Sequence, residues 1–254
     1  MDYIIFDLEF NQPSGKKNKK EDSTYQKCPL EIIQIGAVKM DASHKSLSTF
    51  DALVQPSIYK EVHPFIEKIT NITTHQLLDA APFLKVFKDL VTFIESKDNI
   101  LCVWGMADIT ELFRNVSFHK LNNHLIPRRY INLQDYVSKH FRTPRGKNIG
   151  LQTAIKLMNI SQDKPLHDAF NDAYYTAEIF KKISAESITP QTYDPNQADI
   201  PNKSRTRRPK KIFDAEGLVK QFEKMYKREM AQEEISIILL AYKMGQTHQF
   251  QKEI

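Results

Sequence analysis

Tyr3-Ile4-Ile5-Phe6-Asp7-Leu8-Glu9-Phe10 is an apolar run that ends in two carboxylates one residue apart. Aromatic and β-branched residues at its start predict a short buried strand over 3–8. A buried strand tolerates charge poorly unless something compensates it. Residues two apart on an extended backbone point to one face, so Asp7 and Glu9 share a side. Two like charges so close raise each other's pKa unless a cation lies between them. Hard carboxylate oxygens suit Mg²⁺ or Mn²⁺, which also keep water and substrate phosphate as ligands. Taken alone, the pair is read more simply as a strand end breaking the surface with both acids solvated. The metal reading needs further residues.

Working outward, "EIIQIGAVKM" at 31–40 and "LSTFDALVQ" at 47–55 predict two more strands, joined through the polar "DASHKS" as a hairpin. The Lys-rich stretch 14–27 predicts a surface loop. Pro82 opens a helical segment in which Phe83, Val86, Phe87, Leu90, Val91 and Ile94 recur at helical spacing. A fourth strand at 99–105, a helix over 108–120, a short strand at 130–133 and helices over 150–160 and 167–184 follow. A meander followed by alternating units fits an α/β three-layer domain with a mixed sheet.

The composition changes after about residue 186. Pro190, Pro195, Pro201 and Pro209 punctuate a polar segment, and 203–211, "KSRTRRPKK", holds six basic residues and no acid. A helical region over 214–245 follows. The expected organisation is a domain at 1–188, a basic Pro-containing linker at 189–212 and a helical C-terminal extension at 213–254. The linker reads equally as a nucleic-acid contact and as a solubilising spacer. In the extension, Leu218, Val219, Phe222, Met225 and Tyr226 form one stripe, and the dense "ISIILLAY" at 235–242 predicts burial, within the monomer or against a partner or second copy.

Whole-chain properties narrow the classes. With 254 residues and 41% hydrophobic composition the chain can build one well-buried domain plus an appendage. A net charge of +5 is compatible with a polyanionic partner. Cys28 and Cys102 form neither a metal-ligand spacing nor a disulfide framework, and no run of about 18 apolar residues occurs, so a soluble, cytoplasmic protein without a membrane partner is expected. The 7 glycines form no Walker or dinucleotide-binding pattern, and no Gly-x-Ser-x-Gly elbow or His-Glu-x-x-His pair is present.

Three more residues favour the metal. Asp108 follows the apolar strand where it runs into a helix, the kind of strand end at which α/β folds gather ligands, although alone it reads first as a helix cap. In Leu166-His167-Asp168-Ala169-Phe170-Asn171-Asp172-Ala173, His167 can sit on the loop before a helix from which Asp172 projects. Asp168 points about 100° away on a helix and reads as a helix-start acid complementing the dipole. Glu31 reads as a structural or surface acid.

This set resembles the DEDDh 3′→5′ exonucleases, the superfamily of RNase T and the proofreading subunit of DNA polymerase III. "FDLEF" matches their first motif, "IIQIGAVKM" the strand that follows, "ITNITTHQL" their Ile-Thr-Gly-Ile-Thr segment and "LHDAFNDAYYTAEIF" their His-x-Ala-x-x-Asp-Ala motif. "VWGMAD" departs from the commonest second motif and is similar to the branch containing KapD and the RNAi-enhancing exonucleases. The resemblance covers roughly residues 1–185. It implies a ribonuclease H-like sheet flanked by helices. It implies that Asp7, Glu9, Asp108 and Asp172 bind two divalent cations, Mg²⁺ or Mn²⁺, about 4 Å apart. It also implies that His167 is the general base, an imidazole being usable near neutral pH. The implied substrate is single-stranded RNA or DNA with a free 3′ end, cut to nucleoside 5′-monophosphates.

Phe10 and Ile72 match the positions against which the terminal nucleotide packs in such enzymes; ordinary core packing explains them nearly as well. Trp104 reads as core. Arg142, Arg145 and Lys147 read as a solvated loop or as a phosphate track. Two rivals remain. One is a regulatory binding protein that keeps the exonuclease fold and works through protein contacts. The other is an Asp-based phosphatase, which Glu9 and the His167 motif fit poorly.

Overall fold

The computed structural model describes residues 1–13, 27–144, 146–183, 188–195 and 214–246. The chain divides into two compact units, Met1–Ile200 and Pro201–Ile254. The Lys-rich loop over 14–26, Arg145 and the basic run 203–211 lie outside the described residues.

The first unit is a seven-stranded mixed sheet flanked by helices, the ribonuclease H-like α/β architecture expected. Its elements in chain order are β1 (Tyr3–Asn11), β2 (Glu31–Met40), β3 (Ser46–Gln55), α1 (Pro64–Thr70), α2 (Thr74–Leu78), β4 (Ala81–Pro82), α3 (Phe83–Ile94), β5 (Ile100–Val103), α4 (Ala107–Phe118), a 3₁₀ turn (Asn123–Leu125), β6 (Arg129–Asn132), α5 (Leu133–His140), α6 (Leu151–Leu157), α7 (Ala169–Lys182) and β7 (Gln191–Thr192). The sheet order is β4-β3-β2-β1-β5-β6-β7. β1 lies inside the sheet, antiparallel to β2 and parallel to β5. The C-terminal ends of β1 and β5 therefore open on the same edge, next to the point where strand direction switches.

The alternation of β1 divides its side chains between two layers. Ile4, Phe6 and Leu8 join the core cluster built with Phe83, Val86, Phe87 and Leu90 of α3 and Ile109, Leu112 and Phe113 of α4. Ile5 faces the other way, into a cluster with Val38, Ile100, Cys102 and, from α7, Ala177 and Phe180. Asp7 and Glu9 follow Ile5 at the two-residue period and lie on the α7 side. The register shifts between Glu9 and Phe10, a bulge after which Phe10 and Asn11 pair on with Ile32 and Glu31.

The helix α7 comes unusually close to the sheet. Gly36 of β2 is the strand partner of Asp7, and a Cβ at Gly36 would lie 2.2 Å from the main-chain carbon of Ala169. Only glycine permits that approach. Two short helices that the sequence pattern does not signal, α1 and α2, sit between β3 and β4. Asn71 ends α1 in the left-handed conformation at φ 57°, and Thr73 with Gln76 forms a capping box for α2.

One expectation is corrected. Residues 191–193, placed in the linker by composition, join the first unit: β7 pairs with β6, and the N–H of Tyr193 donates to the carbonyl of Arg128 at 2.8 Å. The second unit contains α8 (Ala215–Tyr226) and α9 (Gln232–Gln246). Within one chain the stretch 235–242 is covered only in part: Ile235, Ile238 and Leu239 are half-buried, and Ile237 is 66% and Leu240 58% exposed. A pair of helices covers only the stripes that face each other, and "ISIILLAY" is apolar over more than one stripe. Among the described residues, no helix is long and apolar enough to cross a membrane.

Candidate active site

Three elements deliver the acids. β1 supplies Asp7 and Glu9, the first turn of α4 supplies Asp108, and the first turn of α7 supplies Asp172. Asp108 is buried, and the main-chain N–H of Leu8 favours its charged form. Glu9, His167 and Asp172 converge so that one ligand atom of each lies within 4.8 Å of the others. Of the five residues singled out from the sequence, Glu9, His167 and Asp172 come within ligand distance of one another, and Asp7 and Asp108 lie near enough for their charges to act on the same acids.

His167 precedes α7 with φ 63°, a left-handed backbone that histidine adopts more readily than most residues. Its N–H donates to Oδ2 of Asp172 at 3.3 Å. The chain then extends through Asp168, the N-cap, whose Oδ1 accepts from the N–H of Asn171 at 2.9 Å. That role is more specific than the helix-start acid expected. Glu31 is structural, as expected: its carboxylate accepts from the N–H groups of Ser57, Ile58 and Tyr59 at 2.6–2.8 Å. Asn11, which the sequence reading did not single out, does parallel work. Its side chain donates to the carbonyls of Tyr59 and Glu61 and accepts from the N–H of His63, anchoring the segment that leads to Ile72.

Without a cation the carboxylates destabilise one another's charged forms. Burial, then the charges of Asp108, Asp172, Glu9 and Asp168, push Asp7 well above the ordinary carboxylate range. Burial, Asp172 and Asp108 raise Glu9 to about 8. Burial dominates the rise of Asp108 to about 8, with Asp172 adding to it. Asp172 reaches about 6 through burial, held back by the N–H and imidazole of His167. Among the described residues, Oδ1 of Asp172 is buried and has no hydrogen-bond partner. Converging acids with raised pKa values and one orphaned carboxylate oxygen are the donor set of a hard divalent cation.

Beside His167 opens a cleft of about 480 Å³. Gln34, Asp51, Asn71, Ile72, His167 and Asp168 are among the residues that line it. Ile72 lines this cleft and is otherwise core, 6% exposed and packed with Ile33, Val62 and Leu77. Phe10 packs, half-buried, against the core cluster on the α3 and α4 side. Trp104 packs between two core clusters, as expected. Arg142 and Lys147 are both exposed on their loop.

The comparisons follow the same lines. The family model RNase_T, described as Exonuclease, matches residues 4–180. A probable 3′-5′ exonuclease KapD of Bacillus subtilis (strain 168) is 25% identical over 185 residues, covering 72% of this chain and 84% of that protein. The nuclease domain of 3′hExo, a DEDDh family member solved bound to rAMP, has a TM-score of 0.62 at 20% identity, covering 76% of this chain and 96% of that one. Cell-death related nuclease 4 has a TM-score of 0.59 at 16% identity, covering 75% of this chain and 66% of that one. At these identities the solved structures show the fold.

Proposed function

The chain belongs to the RNase_T exonuclease family, among the DEDDh 3′→5′ exonucleases, and from that premise we propose that it removes nucleotides from single-stranded RNA or DNA at a free 3′ end, releasing nucleoside 5′-monophosphates. The observation that carries the proposal is the convergence of Glu9, His167 and Asp172, with ligand atoms within 4.8 Å, from segments more than 150 residues apart in sequence.

Asp7, Glu9, Asp108 and Asp172 are the residues that would hold two divalent cations, Mg²⁺ or Mn²⁺. When bound, such ions neutralise the acids, lower the pKa of water and stabilise charge on a phosphoryl group and its leaving oxygen. His167 is the general base: its imidazole takes a proton from the attacking water, and its exposed position lets that proton pass to solvent. Its N–H bond to Asp172 keeps base and acid in one frame. The cleft beside it has the volume of a nucleoside site, and Ile72 offers an apolar surface to the terminal base.

The 3′hExo nuclease domain was solved with rAMP and Exonuclease I with a dA16 oligonucleotide, so the fold accommodates both sugars. The proposed organisation keeps catalysis in the first unit, β7 included, with a basic linker after it and a helical extension for a protein partner or self-association. Two buried free thiols, Cys28 and Cys102, suit a reducing cytoplasm.

The test is a 3′-labelled oligonucleotide, as RNA and as DNA, incubated with Mn²⁺ and resolved as a product ladder. Asp7→Asn is expected to abolish hydrolysis with the fold retained; full activity in that variant sinks the assignment. No hydrolysis by the wild type together with no Mn²⁺ stabilisation would make the chain a binding protein instead.

A further inference from the structure

We propose that Gln34 is a positioning residue for the exonuclease site, seating the start of α7 so that His167 and Asp172 face Glu9; this rests on the activity proposed above. Gln34 is 3% exposed and is the strand partner of Glu9. Its amide uses both donor hydrogens and its carbonyl oxygen. Nε2 donates one hydrogen to Oδ1 of Asp51 on β3 at 3.0 Å and the other to Oδ2 of Asp168 at 3.1 Å. Oε1 accepts from the N–H of Ala169 at 3.1 Å. One amide thus ties β2 to β3 and to both the N-cap and the first residue of α7.

The chemistry requires an amide there. Asp51 and Asp168 are two carboxylates that converge on position 34, and only a group with two donors satisfies both. The N–H of Ala169 is one of the helix-start donors that has no partner within the helix, and it needs an acceptor from the same side chain. A carboxylate would meet the acceptor requirement and fail the donor one. Ala169 is two residues after His167 and three before Asp172, so a helix start that tilts or slides carries both away from Glu9. The absence of a side chain at Gly36 permits the close approach, and Gln34 fixes where along it the helix settles.

The test is a cycle of Gln34→Glu, Asp168→Asn and the double variant, in the full chain. kcat and KM are read separately on a 3′-labelled oligonucleotide, Mn²⁺ affinity by electron paramagnetic resonance of the free ion, and folding by circular dichroism at the assay temperature. Gln34→Glu puts a third carboxylate against two others. It is expected to lower kcat at least ~10-fold and to weaken Mn²⁺ binding, with KM and the dichroism spectrum nearly unchanged. In the double variant the amide introduced by Asp168→Asn still caps the helix and donates to the carboxylate introduced at position 34. That protein should recover part of the lost kcat and Mn²⁺ affinity, at least about threefold, and stay below wild type because Asp51 still faces the introduced carboxylate. A Gln34→Glu protein within twofold of wild type on both readouts overturns the proposal, as does a loss that Asp168→Asn leaves untouched. If the wild type hydrolyses nothing, the activity reading fails, and the Mn²⁺ affinities alone decide the positioning role.

Discussion

The main-chain N–H of His167 donates to Oδ2 of Asp172 at 3.3 Å, so the proposed base and an acid of the proposed metal site are joined through backbone rather than through the imidazole. The imidazole is left at the mouth of the site and exposed. The backbone bond survives loss of the ring, which separates the two roles experimentally.

His167→Ala should therefore lower turnover by about 10²–10⁴-fold at neutral pH while leaving Mn²⁺ affinity within a few-fold of wild type. The left-handed backbone at φ 63° makes Ala about 1–2 kcal/mol strained, so His167→Asn, which tolerates that conformation, serves as the control. Single-turnover rates and Mn²⁺ titration check it. Turnover unchanged in both variants removes His167 as the base.

The metal-free protein should lose stability as pH rises. Glu9 stands at about 8 against an ordinary 4.5, Asp108 at about 8 and Asp172 at about 6 against 3.8. The folded chain therefore holds protons at these sites that the unfolded chain releases. The stabilisation is complete below about pH 4 and is lost as pH climbs through 6 to 8. In chelator, the melting temperature should fall by at least ~5 °C between pH 5 and pH 8.5, and Mn²⁺ should shrink that fall. A flat or rising profile without metal would mean that the acids do not crowd.

Asp7→Asn should act in opposite directions with and without metal. Asp7 is raised by burial and by Asp108, Asp172, Glu9 and Asp168, so a neutral amide relieves repulsion from four acids. Without metal at pH 8 the variant should melt higher than wild type by about 2 °C or more. In saturating Mn²⁺ the order should reverse, because the wild type alone gains full binding energy. Paired melting curves check it, and the same order in both conditions refutes the arrangement.

The parts that the sequence discloses are those where one residue type answers to one demand. The run Tyr3–Phe10 announces both a buried strand and a charged end, because apolar content and a two-residue period are local properties. Asp108 and Asp172 become visible through motif and position at the ends of elements. Gln34 and Asn11 are not visible that way. Each is a polar residue on a strand whose partners, Asp168 and Ala169 for one and Tyr59 to His63 for the other, lie far along the chain, and no periodicity marks them. The two-residue strands β4 and β7 escape for a related reason: pairing with a neighbour defines them, and composition at 191–192 resembles a linker. "ISIILLAY" shows the converse, a local apolar signal that one chain covers only in part, with Ile237 and Leu240 left exposed.

Gly36 is the position where fold and site meet. It pairs with Asp7 across β1 and β2, and its open Cα is filled by the main chain of Ala169. Gly36→Ala would place a methyl 2.2 Å from that carbon, and the atoms in the way are backbone, which cannot rotate aside. The first turn of α7 must lift, taking His167 and Asp172 with it. A destabilisation of about 1–3 kcal/mol is expected from the overpacking. Activity should fall by more than the folded fraction does, because an ångström of displacement at the site costs up to ~10²-fold. Gly150→Ala, where a Cβ meets nothing within 4 Å, is the contrasting variant: it should cost about 0.5–1 kcal/mol, as Ala does at the N-cap of α6, and leave activity per folded molecule unchanged. Denaturant melts paired with rates per folded molecule check both, and a Gly36→Ala protein as active per folded molecule as wild type would show that the close approach of α7 does not set the site.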